Sequence, residues 1–246
     1  MLKVLRSGSF GSEVERWQEF LRGHGCNLEV DGRFGPLTAR ATKQFQRECG
    51  QQTTGVVDQA TYAAAVRHGL PVVEASLPAT PNFDPIPANY MGELFGYIAW
   101  EAAPTRGSPE AVRVTNGWES RLVTIDVPQL ARIGRPPRYS KMVVHQLAAP
   151  RFLELWDAWE SADLLDLIET YDGAGVLRLS RGSTTTLSNH AYGTAFDINA
   201  LWNQLGSQPA PLGSPGSVVE LVPIANALGW WWRGHSQRVD AMHFEI

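Results

Sequence analysis

The sequence predicts a protein of the α+β class, in which a small three-helix N-terminal bundle precedes an α+β domain with a central antiparallel sheet. Residues 1 to about 70 contain three segments with apolar side chains at helical spacing. Residues 71–87 are rich in proline and form a predicted linker. Residues 88–246 alternate short β-branched runs with helical segments, which is typical of helices packed beside an antiparallel sheet.

Residues typical of helix starts mark where each of the three predicted helices of the bundle begins. Ser12 is the expected N-cap of the first helix. Pro36 opens the second, since proline suits the first turn of a helix. Asp58 is the expected N-cap of the third helix, which ends at Gly69. In the larger domain, strands are predicted where β-branched residues cluster, and helices begin at a proline or serine. These strands are 113–115, 122–127 and 141–145, and the helices begin at Pro150 and Ser217.

The composition is that of a globular protein, with 43% hydrophobic residues in a chain of 246. The formal net charge of −4 argues against a nucleic-acid partner, which requires a basic surface. No apolar run approaches the ~20 residues needed to span a membrane, so no membrane insertion is expected. Cys26 and Cys49 are predicted to be core thiols, with one disulfide between them as the alternative that their spacing leaves open. The chain is expected to be a monomer.

Candidate metal ligands lie near the C-terminus. His190, Asp197 and His243 offer three nitrogen and oxygen ligands, the number that catalytic zinc takes while its fourth position is left for water. Cysteine is absent from this part of the sequence, which argues against a closed structural site. Asp240 precedes the last ligand by three residues and is placed to take a proton from the attacking water. The pattern predicts a catalytic Zn²⁺ centre.

The spacing of the first two ligands requires a break in the chain between them. Side chains alternate along a strand, so His190 and Asp197, an odd number of positions apart, would lie on opposite faces. Gly193 resolves this if it bends the chain, because glycine tolerates the backbone angles of a tight turn. Alternation in the last residues places His243 on the less apolar face of a terminal strand.

These residues resemble the motif of a family of zinc peptidases of bacterial cell walls, which includes D-alanyl-D-alanine carboxypeptidases and L-alanyl-D-glutamate endopeptidases. The matching segments are Ser-Asn-His at 188–190, Gly-Thr-Ala-Phe-Asp at 193–197 and Asp-Ala-Met-His at 240–243. The resemblance implies that His190, Asp197 and His243 bind zinc. It also implies that Asp240 is the general base, although many members have the longer Glu at that position.

The same family uses an arginine upstream of the first histidine to bind substrate and polarise its carbonyl group. Residues 175–182, predicted as a strand, contain Arg178 and Arg181, and the match does not decide between them. Further predicted substrate contacts surround the site: Ser188, Tyr192 and, from the tryptophan run 230–232, Trp232. Core packing is the alternative for the tryptophans.

The N-terminal segment is similar to the peptidoglycan-binding module that is often fused to wall hydrolases. The similarity is carried by residues 8–21, 31–38, 45–46 and 55–58. It implies that residues 1–70 bind peptidoglycan, whereas composition alone indicates only a small helical bundle.

Together these features predict a zinc-dependent peptidoglycan peptidase that hydrolyses stem or cross-linking peptides, with an endopeptidase favoured over a carboxypeptidase. Two alternatives stay open: a non-catalytic wall-binding protein with a structural metal site, and a zinc N-acetylmuramoyl-L-alanine amidase. The N-terminus lacks the apolar core of a secretory signal. We therefore expect an endolysin-like protein that is cytoplasmic until it is released to the cell wall.

Overall fold

A computed structural model describes residues 4–70, 77–133 and 139–246. Its contacts divide the chain into two compact units, one of Met1–Ala75 with Pro211–Pro215 and one of Ser76–Ala210 with Gly216–Ile246. Helices and small antiparallel sheets confirm the predicted α+β class. The predicted domain limits stay predictions, because residues 71–76 of the linker lie outside the described ranges. Within those ranges, every helix is too short or too polar to cross a bilayer.

The first unit contains three helices, and each begins close to its predicted capping residue. Their bounds are Ser12–Gly23 for α1, Pro36–Glu48 for α2 and Gln59–Arg67 for α3. Asp58 caps α3 through a hydrogen bond from the Thr61 amide, as predicted, whereas the N-cap of α1 is Gly11 and Ser12 is its first helical residue. Cys26 and Cys49 are free and half-buried.

Two buried glutamines hold the loops between these helices. The Gln18 side chain on α1 accepts hydrogen bonds from the amides of Asp31 and Gly32. Its amide group donates to the Asp31 carboxylate, to the Arg33 carbonyl oxygen and to the Thr38 hydroxyl. Gln18 is only 1% exposed, so these partners take the place of water.

Gln46 on α2 repeats this arrangement one helix later. Its side-chain oxygen accepts from the Gly55 amide, and its nitrogen donates to the Thr54 hydroxyl, the Val56 carbonyl oxygen and the Thr61 hydroxyl. Both glutamines therefore link a helix, the loop that follows it and a threonine of the next helix. The bundle is built from two copies of one structural unit that share α2.

Replacing Gln46 by leucine is expected to destabilise this bundle by about 2–4 kcal/mol, because buried amide and carbonyl groups lose their partner. Amide hydrogen exchange of α1–α3 in the full chain measures the loss. Gln44→Leu on the exposed face of α2 is the control and should change exchange little. Equal effects of the two variants would contradict the role given to Gln46.

The second unit contains three helices and eight strands among the described residues. The helices are α4 (Ala88–Phe95), α5 (Ala149–Ser161) and α6 (Val222–Ala227). The strands are β1 (Trp100–Ala102), β2 (Val112–Val114), β3 (Leu122–Asp126), β4 (Lys141–His145), β5 (Tyr171–Gly173), β6 (Ala195–Ile198), β7 (Trp231–Trp232) and β8 (His243–Glu245). Pairs β1–β2 and β3–β4 are separate, and the remaining strands form an antiparallel sheet in the order β5-β6-β8-β7.

One face of the four-stranded sheet is covered by α5. Phe196 of β6 and Phe244 of β8 are fully buried, and their rings stack with centroids 5.5 Å apart. Trp159 of α5 packs edge-on against both rings. Because neighbouring side chains on a strand point to opposite faces, burying these rings turns Asp197 and His243 to the other face. The core thereby orients the candidate ligands.

Two predicted elements are wrong in detail. Residues 175–182 make only isolated bridges, because successive amides bond to different segments: Val176 to the His190 carbonyl oxygen and Leu179 to that of Glu110. The helix expected from Ser217 begins instead at Val222, where a proline lies in the first turn.

Candidate metal centre

The structure brings the three predicted ligands together on the open face of the four-stranded sheet. His190 Nε2 lies 3.1 Å from His243 Nδ1 and 3.2 Å from Asp197 Oδ1, and His243 Nδ1 lies 3.0 Å from the same carboxylate oxygen. Asp197 and His243 face each other across the β6–β8 pair. Both imidazoles are buried, and Asp197 is partly exposed.

In each imidazole, the ring nitrogen that faces away from the cluster donates a hydrogen bond. These nitrogens are Nδ1 of His190 and Nε2 of His243. His190 Nδ1 lies 2.6 Å from the Ala174 carbonyl oxygen, which can only accept a hydrogen bond. His243 Nε2 lies 2.9 Å from a carboxylate oxygen of Glu245. In the neutral tautomers that these bonds fix, both inner nitrogens present lone pairs to Asp197. His190 Nε2, His243 Nδ1 and Asp197 Oδ1 are then three acceptors arranged around one point, where a cation can bind.

This cluster fits a zinc ion. Ligand atoms at about 2.05 Å from zinc and at tetrahedral angles are roughly 3.3 Å apart, close to the separations seen here. Without a metal ion, a proton can occupy the centre instead. Burial opposes the ionisation of Asp197, but hydrogen bonds from the two histidines then hold its pKa well below the usual range. Burial likewise lowers the pKa of His243, yet Asp197 and Glu245 raise it to about 10. Both shifts show that the site favours a positive charge.

Gly193 supplies the bend that the sequence predicts. Its φ of +65° lies in the left-handed region, and the turn it closes lets His190 reach the same side of the sheet as Asp197. A Cβ atom at this position would lie 2.5 Å from the His145 amide nitrogen and 2.9 Å from the Val144 carbonyl carbon. The glycine is therefore required by both the backbone angle and close packing.

Glu245 is a site residue that the ligand motif does not contain. It is 2% exposed, and besides His243 it accepts a hydrogen bond from Asn189 and faces Arg233 at 3.5 Å. Burial raises the pKa of this carboxyl group, but the hydrogen bond and charge of His243, together with Arg233 and Asn189, lower it below its usual value. Its position two residues after His243 on the same strand face was the sequence signal for this contact.

A cleft of about 780 Å³ opens over the candidate ligands and lies within the second unit. Asp240 lines it beside Asp197 and His243, and Asp240 Oδ1 is buried without a hydrogen-bond partner among the described residues. Burial raises the pKa of this carboxyl group above that of an ordinary aspartate.

The predicted substrate residues divide into two groups. Arg178, Arg181 and Ser188 line the cleft. Tyr192 does not; it is buried and packs edge-on against Trp118. Trp232 is fully buried and donates to the Ala241 carbonyl oxygen.

All three consecutive tryptophans are buried, so the expectation that one lines the cleft is wrong. Trp230 packs against Phe152, and the opposite side of the chain is also covered, since Phe83 packs against Trp231. Phe83 belongs to the proline-rich segment that the sequence predicts as a linker, so part of that segment packs against the tryptophan run.

Comparison with known families agrees with both resemblances. Residues 181–246 match the model of a family described as D-alanyl-D-alanine carboxypeptidase, and residues 10–65 match one described as "Putative peptidoglycan binding domain". The family resemblances seen in the sequence are confirmed for these two segments. The comparison with curated proteins gave no match.

Among solved structures, the chain is similar to a peptidoglycan-binding protein from Clostridioides difficile, with 35% identity over 27% of this chain and 42% of that chain, TM-score 0.26. It is similar to the SleB N-terminal domain, with 29% identity over 28% of this chain and 94% of that one, TM-score 0.27. A fused Zn-dependent amidase/peptidase/peptidoglycan-binding protein from Clostridium acetobutylicum has 28% identity over 37% and 40%, TM-score 0.26. The match thus spans less than half of the first of these proteins.

Replacing Gly193 by alanine is expected to weaken zinc binding at least about tenfold, because the new methyl group displaces the turn that carries His190. Competition with a chromophoric chelator measures the affinity. Gly182→Ala is the control, since Gly182 also has a positive φ but has open space around its Cβ position. A similar loss in both variants would show that backbone strain, not the clash, is responsible.

Replacing Glu245 by glutamine is expected to lower zinc affinity by about 10–100-fold, since the carboxylate orients His243 and increases its basicity. The same chelator competition applies, with Glu93→Gln on the exposed face of α4 as the control. Unchanged affinity in Glu245→Gln would exclude this role for the carboxylate.

Proposed function

We propose that this protein is a zinc-dependent peptidase that hydrolyses stem or cross-linking peptides of peptidoglycan as an endopeptidase. The observation that carries the proposal is the cluster of His190, Asp197 and His243. Two of its members line a cleft with Asp240, whose Oδ1 atom has no hydrogen-bond partner among the described residues. The match of residues 181–246 to the carboxypeptidase family supports the same chemistry.

His190, Asp197 and His243 would hold the metal, and Glu245 would fix the orientation of His243. A bound zinc ion supplies Lewis acidity, which polarises a carbonyl oxygen and lowers the pKa of a water molecule. The buried position of the two histidines limits the directions from which substrate can approach to those open in the cleft.

Asp240 is the proposed general base. Its Oδ1 atom has no hydrogen-bond partner within the described chain and is free to accept a proton from the attacking water. Because burial raises its pKa, Asp240 holds that proton better than an exposed aspartate and can pass it to the leaving amine.

Arg178 is the proposed contact to the substrate carbonyl. Its guanidinium group is half-buried in the cleft wall, and Nη1 donates to the Leu179 carbonyl oxygen at 3.2 Å. That bond uses one of the five guanidinium protons and leaves the others to face the substrate. Arg178 therefore suits the role better than the exposed Arg181.

The first unit is the proposed wall-binding module. Its match to the peptidoglycan-binding family covers α1, α2 and most of α3. A module tethered to the peptidase would raise the local concentration of peptide bonds at the cleft. Binding of the full chain to purified peptidoglycan sacculi in a pull-down assay would test this part of the proposal.

Replacing Asp240 by asparagine is expected to lower kcat by about 10²–10⁴-fold while zinc stays bound, because the variant cannot accept the proton. Release of new amino termini from purified peptidoglycan measures the rate, and metal analysis measures occupancy. Asp172→Asn changes a carboxylate that lines the same cleft and serves as the control. Full activity of Asp240→Asn would remove Asp240 from the mechanism.

Mass spectrometry of the same digest separates the proposed peptidase from an amidase. An endopeptidase leaves products cut within the peptide, whereas an amidase releases intact peptides that begin with L-alanine. A zinc-loaded protein that binds sacculi but releases neither product would be a non-catalytic wall-binding protein.

A further inference from the structure

Four arginines line the cleft, and three of them form no ion pair with a carboxylate in the described part of the chain. Arg233 pairs with Glu245. Arg178, Arg181 and Arg238 form no ion pair within 4 Å with any carboxylate in residues 4–70, 77–133 or 139–246. Surface arginines without a partner are common, but three in one concave site are a concentration of positive charge.

The side chain of Arg238 contacts the backbone of Arg181. Arg238 Nη1 donates a hydrogen bond to the Arg181 carbonyl oxygen at 3.1 Å, which joins the segment before the first histidine to the segment before β8. Both side chains are exposed to solvent in the cleft. Burial lowers the pKa of the neighbouring Arg178, Asp197 opposes this effect, and the charge of Arg181 adds to the lowering. The charges of Arg178 and Arg181 therefore repel one another.

Three carboxylates of the cleft have other partners, and the fourth, Asp240, forms no ion pair with an arginine among the described residues. Asp197 and Glu245 face the histidines. Asp172 accepts hydrogen bonds from the Ala200 amide and the Thr170 hydroxyl. Asp240 is close enough to Arg178 to favour its charged form, but the two groups are not an ion pair. The positive charge of Arg181 and Arg238 is thus left for a ligand.

We propose that Arg181 and Arg238 form a subsite for a free carboxylate of the substrate peptide, so that the enzyme prefers peptides in which this carboxylate is not amidated. The inference rests on the proposed function and specifies the substrate class of the same cleft. Guanidinium groups bind carboxylates through paired, charge-assisted hydrogen bonds. A carboxamide has the same shape but no charge, and its NH₂ group is a donor facing donors.

The cleft favours this ligand over a separate small anion. The two arginines line the same cavity as Asp197 and His243, so a peptide held at the metal would share that cavity with both arginines. Stem peptides carry carboxylates next to their peptide bonds, on the D-glutamate residue and on the diamino acid. Either group has the required chemistry.

The test compares synthetic stem peptides that differ at one position. One peptide has both carboxylates free, a second is amidated at D-glutamate, and a third is amidated at the diamino acid. For the zinc-loaded full chain, one of the two amidations is expected to lower kcat/KM by about 10–100-fold. The amidation that does so identifies the carboxylate bound.

Arg238→Gln is expected to lower kcat/KM for the free peptide to the level of that amidated peptide, while the amidated peptide is cleaved as before. Arg106→Gln, an exposed arginine outside the cleft, is the control. The preference for the free peptide over the amidated peptide should also decrease at high salt, because salt screens charges in a subsite that is open to solvent. Equal cleavage of all three peptides, or an equal loss for all three in Arg238→Gln, would overturn the inference.

Binding measurements separate this inference from the proposed function. If no peptide is cleaved, the proposed function fails, and calorimetry with the same zinc-loaded proteins still tests the subsite. Tighter binding of the free than of the amidated peptide, lost in Arg238→Gln, would support it. Identical affinities would overturn it.

Discussion

Three hydrogen-bond acceptors cannot remain 3.0–3.2 Å apart in a buried site unless a cation or a proton lies between them. This constraint governs the centre formed by His190, Asp197 and His243. The surrounding residues strengthen it, because the Ala174 carbonyl and Glu245 hold the outer imidazole protons and direct both lone pairs inward. The aromatic core between α5 and the sheet then fixes which strand face the ligands occupy.

The sequence predicted the cluster of candidate ligands because their residue types and local patterns are signals in the sequence. Alternation placed Asp197 and His243 on the polar strand faces, and Gly193 marked the bend that brings in His190. The bundle was equally predictable, since Asp58 caps α3 and Ser12 and Pro36 are the first residues of α1 and α2. The strand alternation, the bend at Gly193 and the helix starts each depend on residues that are close together in the sequence.

The features that the sequence did not reveal depend on contacts between distant segments. Trp231 is covered by Phe83, which composition placed in a spacer, so the burial of the tryptophan run could not be predicted. Residues 175–182 look like a strand, but their amides bond to three different segments and no continuous ladder forms. The pairing of Arg181 with Arg238 likewise joins segments 57 residues apart.

The hydrogen bonds of Gln18 and Gln46 also bear on the redox conditions in which the N-terminal bundle can remain folded. Gln18 and Gln46 fasten its loops with amide hydrogen bonds, while Cys26 and Cys49 stay unlinked. Small domains that rely on disulfides unfold more readily where thiols are kept reduced. A bundle fastened by side-chain amides has no such dependence, so it is suited to both reducing and oxidising surroundings.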